Sequence, residues 1–112
     1  MGRLIILPAL PASSIQNEFR AIIKPIDFNY LKNFVETHRN EIIDVINYNR
    51  HQATNKILEK YIGLPMKYGE MYQMNPKNDV IVLVGLKTRA PKGTADLNIS
   101  ESDLALAMIE PQ

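Results

Sequence analysis

His51 has the side chain and the position best suited to chemistry at neutral pH. It follows a polar, turn-prone stretch and begins a segment whose apolar residues recur at helical spacing. A helix N-terminus carries unpaired N–H donors and partial positive charge, which suit an anionic group such as phosphate. Histidine can gain or lose a proton near neutral pH. We therefore predict a functional centre here, with Arg50 and Thr54 in the first turn and Asn47 or Asn49 as the helix cap.

Basic and hydroxyl side chains in two loops extend this prediction to a phosphate ligand. Lys87, Arg89 and Lys92 follow the most hydrophobic predicted strand, and Ser13 and Ser14 lie in the loop after the first strand. One interpretation is a general acid or base that acts on a bound phosphodiester while the cations hold the phosphate. The simpler interpretation is a capping or surface histidine accompanied by solvated loop cations.

Other kinds of site find little support in the sequence. His38 and His51 are not at metal-ligand spacing and the chain has no cysteine, so we predict neither a metal site nor a cofactor. The serines at 13 and 14 lack the glycines of a nucleophile elbow, and no glycine-rich phosphate loop is present. Tyr48 has two interpretations, since an exposed ring would stack on a base and a buried one would pack in the core.

Length and composition limit the class of protein. A chain of 112 residues with 46% hydrophobic residues predicts a single globular domain over residues 1–112, which the order of elements below makes an α/β domain. A formal net charge of +1 gives no general attraction to duplex DNA, so we expect no duplex-DNA partner. The absence of cysteine and of any apolar run near 20 residues predicts a cytoplasmic protein without a membrane partner.

The order of elements predicts a mixed central sheet of about five strands flanked by helices. Helices are predicted over residues 27–37, capped by Asp27, and 51–62, stopped by Gly63 and Pro65. Strands are predicted over residues 4–7, 19–23 (ended by Pro25), 41–46, 69–74, 80–86 and 104–109, the last competing with a capping box at Ser100 and Asp103. Since ligands bind where loops leave strand ends beside helix N-termini, we expect loops 47–51 and 87–93 to converge.

Two motifs carry a family resemblance that spans most of the chain. The first is His51-Gln-Ala-Thr54, opening a helix that closes near Ile62-Gly-Leu-Pro65. The second is Asp79, a hydrophobic strand and then Leu86-Lys-Thr-Arg89-Ala-Pro-Lys-Gly93. In their order and spacing, the motifs resemble those of the viral ring nucleases, the type III anti-CRISPR proteins of archaeal viruses and their phage and plasmid relatives.

The resemblance implies a symmetric homodimer that binds cyclic tetra-adenylate, the second messenger of type III CRISPR immunity, in the cytoplasm of an infected host. It implies cleavage without metal, in which a ribose 2′-hydroxyl attacks the adjacent phosphate and His51 protonates the departing 5′-oxygen. Arg89 would hold phosphate, and the helix start near Thr54 would contribute hydrogen bonds.

Departures from the family pattern leave three functions open. Arg50 stands where the family usually has glycine, and Lys92 stands where a glutamate implicated in catalysis is common. Both changes favour binding of a polyanion, and the second removes a carboxylate. The chain is therefore interpreted as a ring nuclease, as a sponge that binds a cyclic nucleotide without cutting it, or as a mobile-element protein-interaction factor in which His51 only caps a helix.

Overall fold

The computed structural model describes residues 1–87 and 99–112 and confirms an α/β domain built on a mixed sheet. Six described strands form one sheet in the order β2-β6-β5-β1-β3-β4, where β6 runs antiparallel to the others. Two single 3₁₀ turns lie at Ala12–Ser14 and Glu101–Asp103. In chain order the elements are β1 (Arg3–Leu7), β2 (Ala21–Ile26), α1 (Phe28–Thr37), β3 (Asp44–Asn47), α2 (Gln52–Ile62), β4 (Met66–Tyr68), β5 (Asp79–Leu86) and β6 (Leu104–Pro111).

Both helices pack on the same face of the sheet. Their ends follow the sequence signals: the Asp27 carboxylate accepts a 2.7 Å hydrogen bond from Tyr30 N, and Gly63 ends α2 with a left-handed φ of 65°. Alternate residues of the central strands meet the apolar stripes of the helices. The buried core on this face includes Leu4, Ile6, Leu31, Val35, Leu58, Ile62, Val80, Val82 and Met108.

The opposite face of the sheet is covered by loops along β1 and β3 and is open towards β2. Tyr72, 3% exposed, packs there against Tyr48, with ring centroids 5.4 Å apart. Strand register places Ile23, 66% exposed, beside buried Ile109 on this face. The open sheet face, as we call it, consists of Ile23, Leu83, Gly85, Ala105 and Ala107. These five residues carry no charge.

A closed ionic cluster joins the starts of β1 and β5. Arg3 donates to both carboxylate oxygens of Asp79 at 2.6 and 2.7 Å, and the Tyr72 hydroxyl donates to Asp79 at 2.6 Å. The backbone N–H of Asn75 adds a fourth hydrogen bond to this carboxylate. The bonds to Asp79 raise the pKa of Arg3, while burial followed by the Asp79 hydrogen bond raises the pKa of Tyr72. Asp79, one of the motif residues, is therefore a structural anchor.

The structure corrects several predicted boundaries. Pro25 does not end β2, which continues to Ile26; β2 is an edge strand, where half of the N–H groups need no partner. Residues 69–74 form no strand, because the apolar spacing around Tyr72 reflects packing on the sheet face, and the strand lies earlier as β4. The third strand begins at Asp44, and Ile43 is 80% exposed.

In the carboxyl-terminal segment, the structure shows both the predicted capping box and the predicted strand. A 3₁₀ turn with a Ser100–Asp103 capping box leads directly into β6. No helix in the described part of the chain is long and apolar enough to cross a membrane.

Candidate functional site

The segment that carries His51 leaves the carboxyl edge of the parallel strands. Tyr48 N still bonds to Ile6 O at 2.9 Å, after which the chain turns towards α2. Because β1, β3 and β5 are parallel, the loops that follow Leu7, Asn47 and Leu86 all leave the same edge. The expected convergence of loops 47–51 and 87–93 stays a prediction, because of the second loop only Lys87 belongs to the described residues. Lys87 is exposed, and its backbone N–H bonds to Asp103 O at 2.9 Å.

Three buried asparagines hold the turn before His51. The side-chain oxygen of Asn55, on α2, accepts bonds from Asn47 Nδ2 at 2.8 Å and from Asn49 Nδ2 at 3.2 Å. Asn55 Nδ2 returns a bond to the backbone oxygen of Asn49 at 3.0 Å, and Asn47 Oδ1 accepts from Asn49 N at 2.8 Å. We call these residues the asparagine network. Because each is at most 7% exposed, the network fixes the backbone that leads to His51.

His51 itself is the N-cap of α2, where the sequence had suggested Asn47 or Asn49. Its Nδ1 accepts from Thr54 N at 3.3 Å and lies 2.8 Å from Thr54 Oγ1. Accepting an amide proton requires an unprotonated Nδ1, which places the proton of the neutral ring on Nε2. When the ring is charged, Nδ1 carries a proton and can donate a hydrogen bond to Thr54 Oγ1. Thr54 therefore contacts Nδ1 in either state.

Arg50 fixes a positive charge next to His51. Its guanidinium donates to Gly69 O at 3.2 Å, and Gly69 N donates to Asn47 O at 3.0 Å. Gly69 is required here, since a Cβ would lie 2.3 Å from Cε1 of the Tyr48 ring. These contacts tie the end of β4 to the turn before α2. Among the described residues, no carboxylate pairs with Arg50.

Two open clefts flank the start of α2. The first, of about 400 Å³, runs between α2 and β4 and is lined by Asn49, Arg50, Gln52, Asn55, Lys56, Glu59 and Tyr68. We call it the α2–β4 cleft. The second, of about 460 Å³, is lined by Arg50, Gln52, Ala53 and Lys56. Arg50 and Gln52, the neighbours of His51 in the chain, line both clefts.

The remaining predicted site residues are spread over different surroundings. Ser14 has no exposed surface and its hydroxyl donates to Pro11 O at 2.6 Å, so it offers nothing to a ligand in this conformation. Ser13 is exposed. Thr54 is 4% exposed and turned to His51, and Tyr48 packs in the core with Tyr72. Arg89 and Lys92 lie outside the described residues.

Sequence reasoning missed most of the α2–β4 cleft. Gln52, Lys56 and Glu59 follow the polar side of α2 at helical spacing, and Tyr68 lies 52% exposed at the end of β4. The sequence shows the helical spacing of these polar residues, but an ordinary solvated helix face has the same spacing, so the pattern does not identify a binding surface. Tyr68 gave no signal, because β4 was not predicted.

Groups of His, Asp and Glu suited to a metal ion are not found among residues 1–87 and 99–112. The site can offer a ligand the cations Arg50 and Lys56, the N–H groups at the start of α2 and the imidazole ring of His51. This set suits a phosphate-containing molecule.

The fold is similar to that of B116 of Sulfolobus turreted icosahedral virus. The TM-score is 0.64 over 96% of this chain and 98% of that chain, with 13% sequence identity. At this identity the similarity shows a common fold. No protein-family model and no curated protein sequence matches the chain.

Proposed function

We propose that the protein binds cyclic tetra-adenylate and opens its ring without a metal ion, thereby removing the second messenger of type III CRISPR immunity. The observation that carries this proposal is the position of His51, which caps α2 at the carboxyl edge of the sheet, while its chain neighbours Arg50 and Gln52 line two open clefts there. Arg50 supplies a fixed cation beside it. The fold similarity to an archaeal virus protein supports a viral origin, and hence action in the host cytoplasm.

The proposed reaction is an internal transesterification. A ribose 2′-hydroxyl attacks the adjacent phosphorus, the P–O2′ bond forms and the P–O5′ bond breaks, which leaves a 2′,3′-cyclic phosphate and a 5′-hydroxyl. The hydroxyl proton passes to solvent. His51 acts in its charged form, in which Nδ1–H donates to Thr54 Oγ1; it delivers the Nε2 proton to the departing O5′, becomes neutral and regains a proton from water. Thr54 contributes by holding Nδ1, so that Nε2 is directed away from the helix.

The cations around the site have a binding role in this proposal. Arg50 and Lys87 are exposed at the same edge of the sheet and attract the phosphates. Arg89 and Lys92 would add to this charge, as the resemblance implies for Arg89. Asn49 acts indirectly, because its side chain is engaged in the asparagine network.

We also propose that the active form is a homodimer. The open sheet face is the surface best suited to a second copy, since its five residues lie on one face of neighbouring strands and carry no charge. Ile23→Lys should convert a dimer into a monomer in analytical ultracentrifugation, since it places a charge in that contact. An unchanged dimer in this variant would place the interface elsewhere.

The test of the function is incubation of the purified protein with labelled cyclic tetra-adenylate in excess chelator. Binding followed by linear product supports the nuclease. Binding without product supports the sponge, the function that Lys92 favours because it replaces the glutamate common in the family. Absence of binding would contradict both and leave the protein-interaction factor.

His51→Ala should reduce cleavage at least about a hundredfold while binding changes little, because general acid catalysis contributes roughly 10²–10⁴ in rate. The matched control is His38→Ala, which removes a histidine at the end of α1 that bonds to Glu41. Equal loss of binding and cleavage in His51→Ala would make the residue a binding or folding residue.

A further inference from the structure

The α2–β4 cleft has the composition of a site for one nucleotide. Its volume of about 400 Å³ falls within the range of roughly 300–1,000 Å³ that is common for small-molecule sites. One wall is the polar side of α2, and the other is the end of β4. The cleft therefore brings together amide, cationic, acidic and aromatic side chains, which are the groups that recognise a base and its phosphate.

Tyr68 is the aromatic surface of this cleft. Tyr68 is 52% exposed, whereas Tyr72 on the opposite sheet face is 3% exposed. The backbone after Tyr68 is anchored, because Gly69 packs directly against Tyr48 and bonds to Asn47. An exposed tyrosine ring that lines a cleft is a platform on which a base can stack.

Cations mark the phosphate end of the cleft. Arg50 is held at the end of β4 by its bond to Gly69 O, and Lys56 projects from the first turns of α2. Within the described part of the chain, neither of them forms an ion pair with a carboxylate. Both cations can therefore pair with a phosphate group without first breaking an ion pair of that part of the chain.

Glu59 is the acidic group of the same wall. It lies one turn beyond Lys56 on α2, so its carboxylate borders the cleft away from Arg50. An ionised carboxylate accepts hydrogen bonds and donates none. It attracts the 6-amino group of adenine and repels the 6-carbonyl oxygen that inosine has in its place.

We infer that this cleft binds one adenylate unit of the ligand, with the base stacked on Tyr68 and the 6-amino group donating to Glu59. The phosphate of that unit is held by Arg50 and Lys56. This inference rests on the proposed function and adds to it the base selectivity of the site.

The experiment is titration of the full-length protein with adenosine 5′-monophosphate and inosine 5′-monophosphate, followed by NMR. The wild type should bind the adenylate about tenfold more tightly than the inosinate. Tyr68→Ala should weaken adenylate binding about fivefold or more, because stacking of a base is worth roughly 1–3 kcal/mol, while Tyr68→Phe should retain it. Glu59→Gln should bring the two nucleotides to nearly equal affinity, since an amide both donates and accepts.

Matched controls are Tyr30→Leu and Glu36→Gln, which alter an exposed tyrosine and a glutamate on α1. Equal binding of both nucleotides by the wild type, or full adenylate binding by Tyr68→Ala, would overturn the inference. If cyclic tetra-adenylate is cleaved equally by the wild type and Tyr68→Ala, the inference fails and the proposed function stands. If the wild type ignores the cyclic ligand but selects the adenylate through Tyr68 and Glu59, the cleft assignment stands and the proposed function fails.

Discussion

Two ends of the same sheet each hold an arginine and a tyrosine, yet their charges are arranged differently. At the amino end of β1, Arg3 makes two bonds to Asp79, and the Tyr72 hydroxyl completes the cluster. At the carboxyl end of β3, Arg50 makes one 3.2 Å bond to a carbonyl, and Tyr68 faces an open cleft. In the first region, the polar groups of Arg3, Asp79 and Tyr72 bond to one another. In the second region, the charge of Arg50 and the ring of Tyr68 remain exposed to a ligand.

This difference shows how a structural cluster is told from a binding site. Both regions contain motif residues, so residue type does not separate them. What separates them is how far the chain satisfies its own polar groups. Four hydrogen bonds converge on the Asp79 carboxylate, and its side chain has no exposed surface. Stability should therefore depend on the first region and ligand binding on the second.

The largest effect is expected from Asp79→Ala. It leaves Arg3, whose side chain is 29% exposed, and the Tyr72 hydroxyl and Asn75 N without their common acceptor. The free energy of unfolding should therefore fall by about 3–4 kcal/mol. Urea unfolding followed by circular dichroism measures this loss. Asp44→Ala, which removes an exposed pair with Lys67, is the control and should change stability by less than about 1 kcal/mol. Similar losses in the two variants would contradict the comparison.

Asn55→Ala tests the part of the open region that is buried. Removing this side chain leaves buried amide groups of Asn47 and Asn49 without partners, so the free energy of unfolding should fall by about 2–3 kcal/mol. The NMR signals of the His51 ring should broaden or shift as the turn loosens. The exposed Asn33→Ala should show neither change. A fully stable Asn55→Ala with an unchanged His51 ring would show that the network does not position the histidine.

Tyr72→Phe sharpens the description of the closed cluster. The variant removes one of four hydrogen bonds to Asp79 and should lower the free energy of unfolding by about 1–2 kcal/mol at pH 7. Burial raises the pKa of Tyr72, so the folded state keeps the phenol proton that the unfolded chain loses above about pH 10. Below that pH both states hold the proton and the contribution is complete; above it, stability falls as pH rises.

The measurement for Tyr72 is urea unfolding of the wild type and Tyr72→Phe at a series of pH values from 8 to about 11. The wild type should lose stability more steeply than the variant above about pH 10, because lysines titrate equally in both. Parallel curves would show that Tyr72 ionises as easily in the folded protein as in the unfolded chain.

Arg50→Gln should have the smallest effect on stability. The side chain is exposed and makes one hydrogen bond to Gly69, so the free energy of unfolding should change by less than about 0.5 kcal/mol. Binding of cyclic tetra-adenylate should weaken about tenfold in low salt and less in high salt, because added ions screen a phosphate contact. The control is Arg39→Gln, an exposed arginine beyond α1. A stability loss comparable with that of Asp79→Ala would place Arg50 among the structural residues.

The sequence predicted the elements that depend on local rules. Helix ends at Asp27 and Gly63 follow from capping chemistry, and the continuous apolar run of β5 follows from its central position in the sheet. His51 was placed at a helix start because the polar stretch before it and the apolar periodicity after it are both local. These features need no knowledge of distant contacts.

Features that depend on distant partners were missed or misplaced. Tyr72 looked like a strand residue, although its burial comes from Asp79 and the far face of the sheet. The two interpretations of Tyr48 could not be separated, because its packing against Tyr72 and Gly69 brings together residues that are distant in the sequence. The same holds for Lys56 and Glu59, which become site residues through their position opposite β4.

The two hydrogen bonds at Gly69 also have a consequence for the association rate of a ligand. Hydrogen bonds from Gly69 N to Asn47 O and from Arg50 to Gly69 O fasten the two walls of the α2–β4 cleft at its His51 end. If the cleft binds an adenylate as inferred above, the ligand would meet walls that are already joined. We then expect its association rate to be governed by diffusion and by the positive charge at the rim, and differences in affinity between ligands to lie in their dissociation rates.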